Sequence, residues 1–213
     1  MSEDLIKALS NARIIPIATI DESDAINLGE ALLTAGIKTI EVTLRTKTAL
    51  NAIGILKKRY PDLTIGAGTV LGIEDLRSAF NEGASFGFAP GLDPQIVAYS
   101  LTKKHPFFPG ICTPTELQIA ISLGLKTLKV FPIEPIGGAQ MLKVMSMPFQ
   151  HLFIKYIPTG GITPETVKSY LDLPYVVACG APWIVHPELV RQKEWGKISK
   201  LAADAAKLVG TTS

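Results

Sequence analysis

The sequence predicts an α/β protein, a single (β/α)8 barrel of the TIM type with a short helix ahead of its first strand. Three observations carry that prediction. Strand-like and helix-like segments alternate along all 213 residues, and a run of βα units gives parallel strands because each crossover returns the chain to the same end of the sheet. Eight such units fit at the compact end of the barrel's size range. No linker, low-complexity tract or shift in composition divides the chain, so one domain over residues 1–213 is expected. An open doubly wound sheet is the rival architecture.

The opening "MSEDLIKALS" carries acids and reads as a short amphipathic helix rather than a signal peptide. The first strand is "RIIPIATI" (13–20), followed by "SDAINLGEALLTAG", in which Ala25, Leu28, Leu32 and Leu33 share a helical face. Ser23-Asp24 supplies its start. "TIEVTLR" (39–45), "TIGAGTV" (64–70), "SFGFAP" (85–90) and "FFPGI" (107–111) are the next four strands. Thr113-Pro114 then opens a helix with proline in the first turn. "TLKVFP" (127–132) and "FIKYIPTG" (153–160) follow, Thr163-Pro164 reads as another helix start, and "YVVACGA" (175–181) is the eighth strand.

Composition excludes several classes of function. The chain is 47% hydrophobic and 19% charged, with a net charge of +2, and it has no basic tract, so neither nucleic acid nor a membrane surface is an expected partner. No apolar run approaches the ~20 residues of a membrane helix. Cys112 and Cys179 form no disulfide framework, which suits a cytoplasmic location. His105, His151 and His186 are far apart, so no metal site is expected. The chain has neither a Walker loop nor G-x-G-x-x-G, so nucleotide binding is not expected.

The candidate chemistry comes from strand alternation. In "TIEVTLR", Ile40, Val42 and Leu44 form one face, and Thr39, Glu41, Thr43 and Arg45 the other. In "TLKVFP", Leu128 and Val130 oppose Thr127, Lys129 and Phe131. A barrel turns its apolar strand face to the helices, which sends Glu41, Arg45 and Lys129 inward. A buried ion pair is one reading of Lys129 and Glu41. Such pairs stabilise little, because desolvation offsets the attraction, and two charges plus an arginine inside one barrel invite a functional reading. Function on this fold gathers at the C-terminal strand ends, where Arg45, Thr69, Pro90, Phe131 and Thr159 lie. Lys155 competes as a reactive amine, but it sits four residues before its strand end, about 13 Å deeper at ~3.3 Å per residue. Lys129 is therefore preferred. "GAGTV", "FAPGL", "FPGICTPTE" and "PTGGITPE" each end a strand, and backbone N–H groups at such turns bind anions. Cys112 has no neighbouring histidine and reads as a small filler.

In order and separation, "IEVTLRT", "IGAGTVL", "FAPGL", "PGICTPTE", "LKVFP" and "PTGGITPE" resemble the family of 2-keto-3-deoxy-6-phosphogluconate (KDPG) and 4-hydroxy-2-oxoglutarate (KHG) aldolases. The resemblance spans residues 13 to about 185. It implies a cofactor-free class I aldolase of Entner–Doudoroff sugar-acid metabolism, commonly a homotrimer, which cleaves a 2-keto-3-deoxy sugar acid, KDPG in the first place, to pyruvate and an aldehyde, glyceraldehyde 3-phosphate. A KHG aldolase with weak phosphate preference is the alternative within the family. It further implies that Lys129 is the Schiff-base lysine and Glu41 the general acid/base. Arg45 would bind the substrate carboxylate with help from Thr69. Pro90, Phe131 and Thr159 would line the pocket, and Gly160 and Gly161 would hold a phosphate. The chain departs from the family at "GAPW", where Gly-Gly-Ser-Trp is usual, so Pro182 stands in place of a phosphate-contacting serine. A phosphosugar isomerase or synthase, and a barrel kept only for binding or assembly, are the alternative functions.

Overall fold

A computed structural model describes residues 3–210. Its strands are β1 (Ile14–Ala18), β2 (Thr39–Thr43), β3 (Thr64–Gly68), β4 (Phe86–Phe88), β5 (Phe107–Phe108), β6 (Gly110–Ile111), β7 (Thr127–Val130), β8 (Lys155–Pro158) and β9 (Cys179–Ala181). Every recorded pairing between them is parallel. One sheet has the order β5-β4-β3-β2-β1-β9 and the other β6-β7-β8. Only Pro109 separates β5 from β6, and its carbonyl accepts a hydrogen bond from the Lys129 N–H at 3.0 Å. A parallel bridge between Tyr156 and Val176 joins β8 to the segment leading into β9. The result is an α/β fold with a curled parallel sheet.

Alternation along the strands separates two apolar layers. Ile40, Val42, Ile65, Ala67, Leu128 and Val130 face outward and pack with the surrounding helices. Ile15, Phe86, Phe88, Phe108 and Ile157 form a second cluster inside the curl, together with Leu5 and Leu9 of the leading helix α1 (Glu3–Ala12). That helix spends its apolar stripe on the inner cluster, so it forms part of the core.

Several helix starts follow directly from local chemistry. Helix α6 (Pro114–Ser122) begins with a capping box: the Thr113 hydroxyl accepts from the Glu116 N–H, and the Glu116 carboxylate accepts from the Thr113 N–H. Two predicted starts are corrected. Thr163-Pro164 opens a turn, and helix α8 begins only at Val167 and runs to Leu171. Ser23-Asp24 lies in a 3-10 turn (Glu22–Asp24), and Asp24 makes no capping bond to helix α2 (Ala25–Thr34). The buried Asp24 carboxylate instead pairs with Lys193, which a long-range charge partner decides and local propensity does not. The strands are also shorter than predicted. Arg45, Thr69, Pro90, Phe131 and Thr159 all lie just past a strand end.

Candidate active site

A cavity of about 190 Å³ opens at the C-terminal ends of the strands. Eight predicted residues line it: Glu41, Arg45, Thr69, Pro90, Lys129, Phe131, Thr159 and Gly160. Gly161 is the next residue and is exposed, not part of the lining. Ile17, Thr43 and Ala89, which no motif marks as site residues, complete the wall with Pro182. Strand alternation does carry a signal for Thr43, which lies two residues beyond Glu41 on the same strand face. A larger cleft of about 850 Å³ lies near the starts of β5 and β7, and none of the predicted site residues reaches it.

Lys129 and Glu41 are brought together across the curl of the sheet, from strands that do not pair with each other. Lys129 sits on β7 opposite Gly110 and Ile157, and Glu41 on β2 opposite Ile17 and Gly66. The Lys129 Nζ lies 3.6 Å from the Glu41 Oε2, with the two side chains only 8% and 4% exposed. Aromatic faces flank the amine: it lies 4.8 Å from the Phe88 ring centroid and 5.6 Å from that of Phe131. Gly68 leaves room for the carboxylate, since a Cβ there would meet Glu41 Oε1 at 2.1 Å. The arrangement places an amine from β7 and a carboxylate from β2 face to face across one sheltered space.

Arg45 is exposed at the mouth, and its Nη2 donates to the Thr19 hydroxyl at 3.2 Å. Gly160 and Gly161 have φ of 101° and 88°, left-handed values that favour glycine. They form a turn well ahead of α8, so their N–H groups do not belong to a helix start. Lys155 is exposed at the beginning of β8, where its Nζ donates to the Pro174 carbonyl at 3.3 Å. Cys112 lies outside the cavity lining, and burial followed by the neighbouring Glu116 pushes its thiol up, away from the reactive thiolate. Among the described residues, no group of three or more His, Cys, Asp or Glu is placed to hold a metal ion.

The family model for KDPG and KHG aldolases matches residues 5–201. The chain belongs to this family. It is 35% identical over 207 residues to a 2-dehydro-3-deoxy-phosphogluconate aldolase of Treponema pallidum, covering 97% of this chain and 98% of the relative. To the KHG/KDPG aldolase of Escherichia coli K12 it is 34% identical over 200 residues, covering 93% of each. Among solved structures it is similar to the KDPG aldolase of Legionella pneumophila, in which pyruvate was captured as a covalent carbinolamine intermediate. That match has a TM-score of 0.89 and 34% identity, and covers 94% of this aldolase-family chain and 97% of the other. No described helix is long and apolar enough to cross a membrane.

Proposed function

We propose that this protein is a class I aldolase that cleaves a 2-keto-3-deoxy sugar acid, KDPG or the shorter KHG, to pyruvate and an aldehyde. The observation that carries this reading is the buried Lys129 amine 3.6 Å from the Glu41 carboxylate, in a chain of the aldolase family. The carbinolamine of the Legionella relative is the kind of adduct that an amine forms with a ketone. Two further features favour a closed eight-stranded barrel over an open sheet: the bridge from Tyr156 to Val176, and the continuity of β5 with β6 across Pro109. The reading includes a single domain and a cytoplasmic homotrimer. Exposed Leu71, Met147 and Phe153 are apolar surface that subunit contact would cover, and Cys112 and Cys179 are free thiols.

In the proposed mechanism the neutral Lys129 amine attacks the C2 carbonyl, and water leaves to give an iminium. Attack requires the uncharged amine, whose lone pair forms the new bond to carbon. Glu41 takes the proton of the C4 hydroxyl, the C3–C4 bond breaks, and its electron pair flows into the iminium to leave an enamine. The aldehyde departs, Glu41 returns a proton to C3, and hydrolysis frees pyruvate and restores Lys129. Arg45 grips the carboxylate and fixes the keto group against the amine. The direct test is release of pyruvate from KDPG and from KHG by the purified protein; release from neither would overturn the reading.

Gly68→Ala should slow this reaction more than it destabilises the fold. The added methyl displaces the Glu41 carboxylate, and a misplacement of about 1 Å in a catalytic group costs on the order of 10²-fold. Turnover per folded molecule, measured beside Tm, checks this.

The distal end of the substrate meets Pro182. Proline offers neither a hydroxyl nor an N–H to a phosphate, and Pro182 lines the cavity with Gly160. Arg45 and Lys129 are the cations among the lining residues, and the proposed mechanism assigns both to the pyruvyl half. The enzyme therefore favours phosphorylated substrates less than its relatives do. A hydrogen bond to a charged group contributes about 1.5–3 kcal/mol, so Pro182→Ser should raise the KDPG-to-KHG ratio of kcat/KM by about 10- to 150-fold. An unchanged ratio, with the parent already preferring KDPG strongly, would overturn the claim.

A further inference from the structure

Arg45 stands two residues past the end of β2, exposed, on a long side chain with no strand to hold it. A carboxylate anchor binds more tightly when its guanidinium is already fixed as the substrate arrives, because less ordering is then left to pay for. The polar contacts between the loop after β1 and the loop after β2 supply that fixation. Thr19 is the first contact. Its hydroxyl oxygen accepts from Arg45 Nη2 at 3.2 Å and from Thr43 Oγ1 at 2.9 Å. The same two loops are tied together further out. Thr46 Oγ1 donates to the Ile20 carbonyl at 2.8 Å, and Thr48 Oγ1 donates to Asp21 Oδ1 at 2.8 Å. The Glu22 N–H donates to Thr48 Oγ1 at 3.1 Å, and Asn51 Nδ2 donates to Glu22 Oε2 at 2.7 Å. Beyond these, the buried Asp24 pairs with Lys193 and ties the first loop to the C-terminal part of the chain.

We infer that Thr19 is a positioning residue for substrate binding: it orients Arg45 toward the carboxylate of the 2-keto acid, and the clasp between residues 19–22 and 43–51 keeps the pair in register. The inference rests on the reading of Arg45 as the carboxylate anchor. Thr19 is suited to the task because it is itself held. It sits one residue beyond β1, and the buried Thr43 hydroxyl donates to the same oxygen. A guanidinium carries five N–H donors, so one bond to Thr19 leaves a fork free for the substrate. Six hydrogen bonds and one ion pair along the two loops are more than a turn needs for its own conformation. They cluster where the exposed carboxylate anchor of the proposed site must be held still.

The test uses pyruvate, which carries the carboxylate without the variable aldehyde end. Borohydride trapping over a range of pyruvate concentrations gives the half-saturating value for each variant. Thr19→Val keeps the shape of the side chain and removes the acceptor. It should raise the half-saturating concentration about tenfold, the lower end for a hydrogen bond involving a charged group, with the trapping rate at saturation unchanged. Thr19→Ser, which keeps the oxygen, should behave like the parent. In an Arg45→Ala background, Thr19→Val should have no further effect, because the interaction it serves is already gone. If Thr19→Val does not fold, Thr19→Ala carries the same comparison. A half-saturating concentration that stays put in Thr19→Val while it rises in Arg45→Ala overturns this inference alone. A rise of the same factor with and without Arg45 also overturns it, since Thr19 would then act only on the fold. If Arg45→Ala itself binds pyruvate as the parent does, the reading of Arg45 as the anchor falls, and this inference falls with it.

Discussion

Lys129→Ala is expected to abolish aldol cleavage, by about 10⁶-fold on the scale of other lost covalent nucleophiles. Without a primary amine no iminium forms, and the carbanion left by C3–C4 cleavage has no electron sink. The substitution should leave the fold in place, because the outward residues of the same strand, Leu128 and Val130, do the packing against the helices. Glu41 loses its counter-charge, but it lines the cavity and is not enclosed among the packed apolar side chains. In the parent, borohydride with pyruvate should leave a reduced adduct on the peptide containing Lys129. Lys155 is the internal control: it is exposed at the opposite end of its strand and bonded to the Pro174 carbonyl. An adduct on Lys155, or cleavage that survives Lys129→Ala, would remove the amine mechanism. Trapping and cleavage should both persist in EDTA, since no step requires a metal.

The features of this site that could be read from sequence are those that depend on strand periodicity. Alternation alone sends Glu41 and Lys129 to the inner face, where they meet across one cavity. The order of parallel strands follows equally from the alternation of elements along the chain. Where the reading missed, a partner distant in sequence decided the outcome. Asp24 looks like a cap, but its carboxylate turns to Lys193, 169 residues away. Thr19 has no motif around it, and its contact with Arg45 spans 26 residues of chain. Thr163-Pro164 has the chemistry of a helix start, yet the glycine pair before it imposes a wider turn and delays the helix to Val167. Pro109 interrupts its strand because proline lacks the N–H that a ladder needs, and this splits "FFPGI" into two short pieces.

Glu41→Gln should slow cleavage by about 10²–10⁴-fold, the usual worth of a positioned acid/base, while borohydride trapping of pyruvate on Lys129 continues. Glutamine is close in shape, so it fits the space that Gly68 leaves and keeps the cavity wall. It cannot accept the C4 hydroxyl proton, and it cannot return one to the enamine. The rival view makes Glu41 only the ionic partner of Lys129. Under that view the amide removes a buried counter-charge, and the loss appears mainly as lower stability. Turnover per folded molecule would then be nearly unchanged. The two views differ in a single pair of measurements, Tm and turnover at saturating substrate. The environment favours the first: at 3.6 Å the two groups are slightly beyond hydrogen-bond distance, a loose geometry for a pair selected to stabilise a core. A carboxylate that must receive and release a proton within one turnover has reason not to be locked to its neighbour. A Glu41→Gln variant with a lowered Tm and full turnover would show that the pair is structural and that the proton is carried by another group in the cavity.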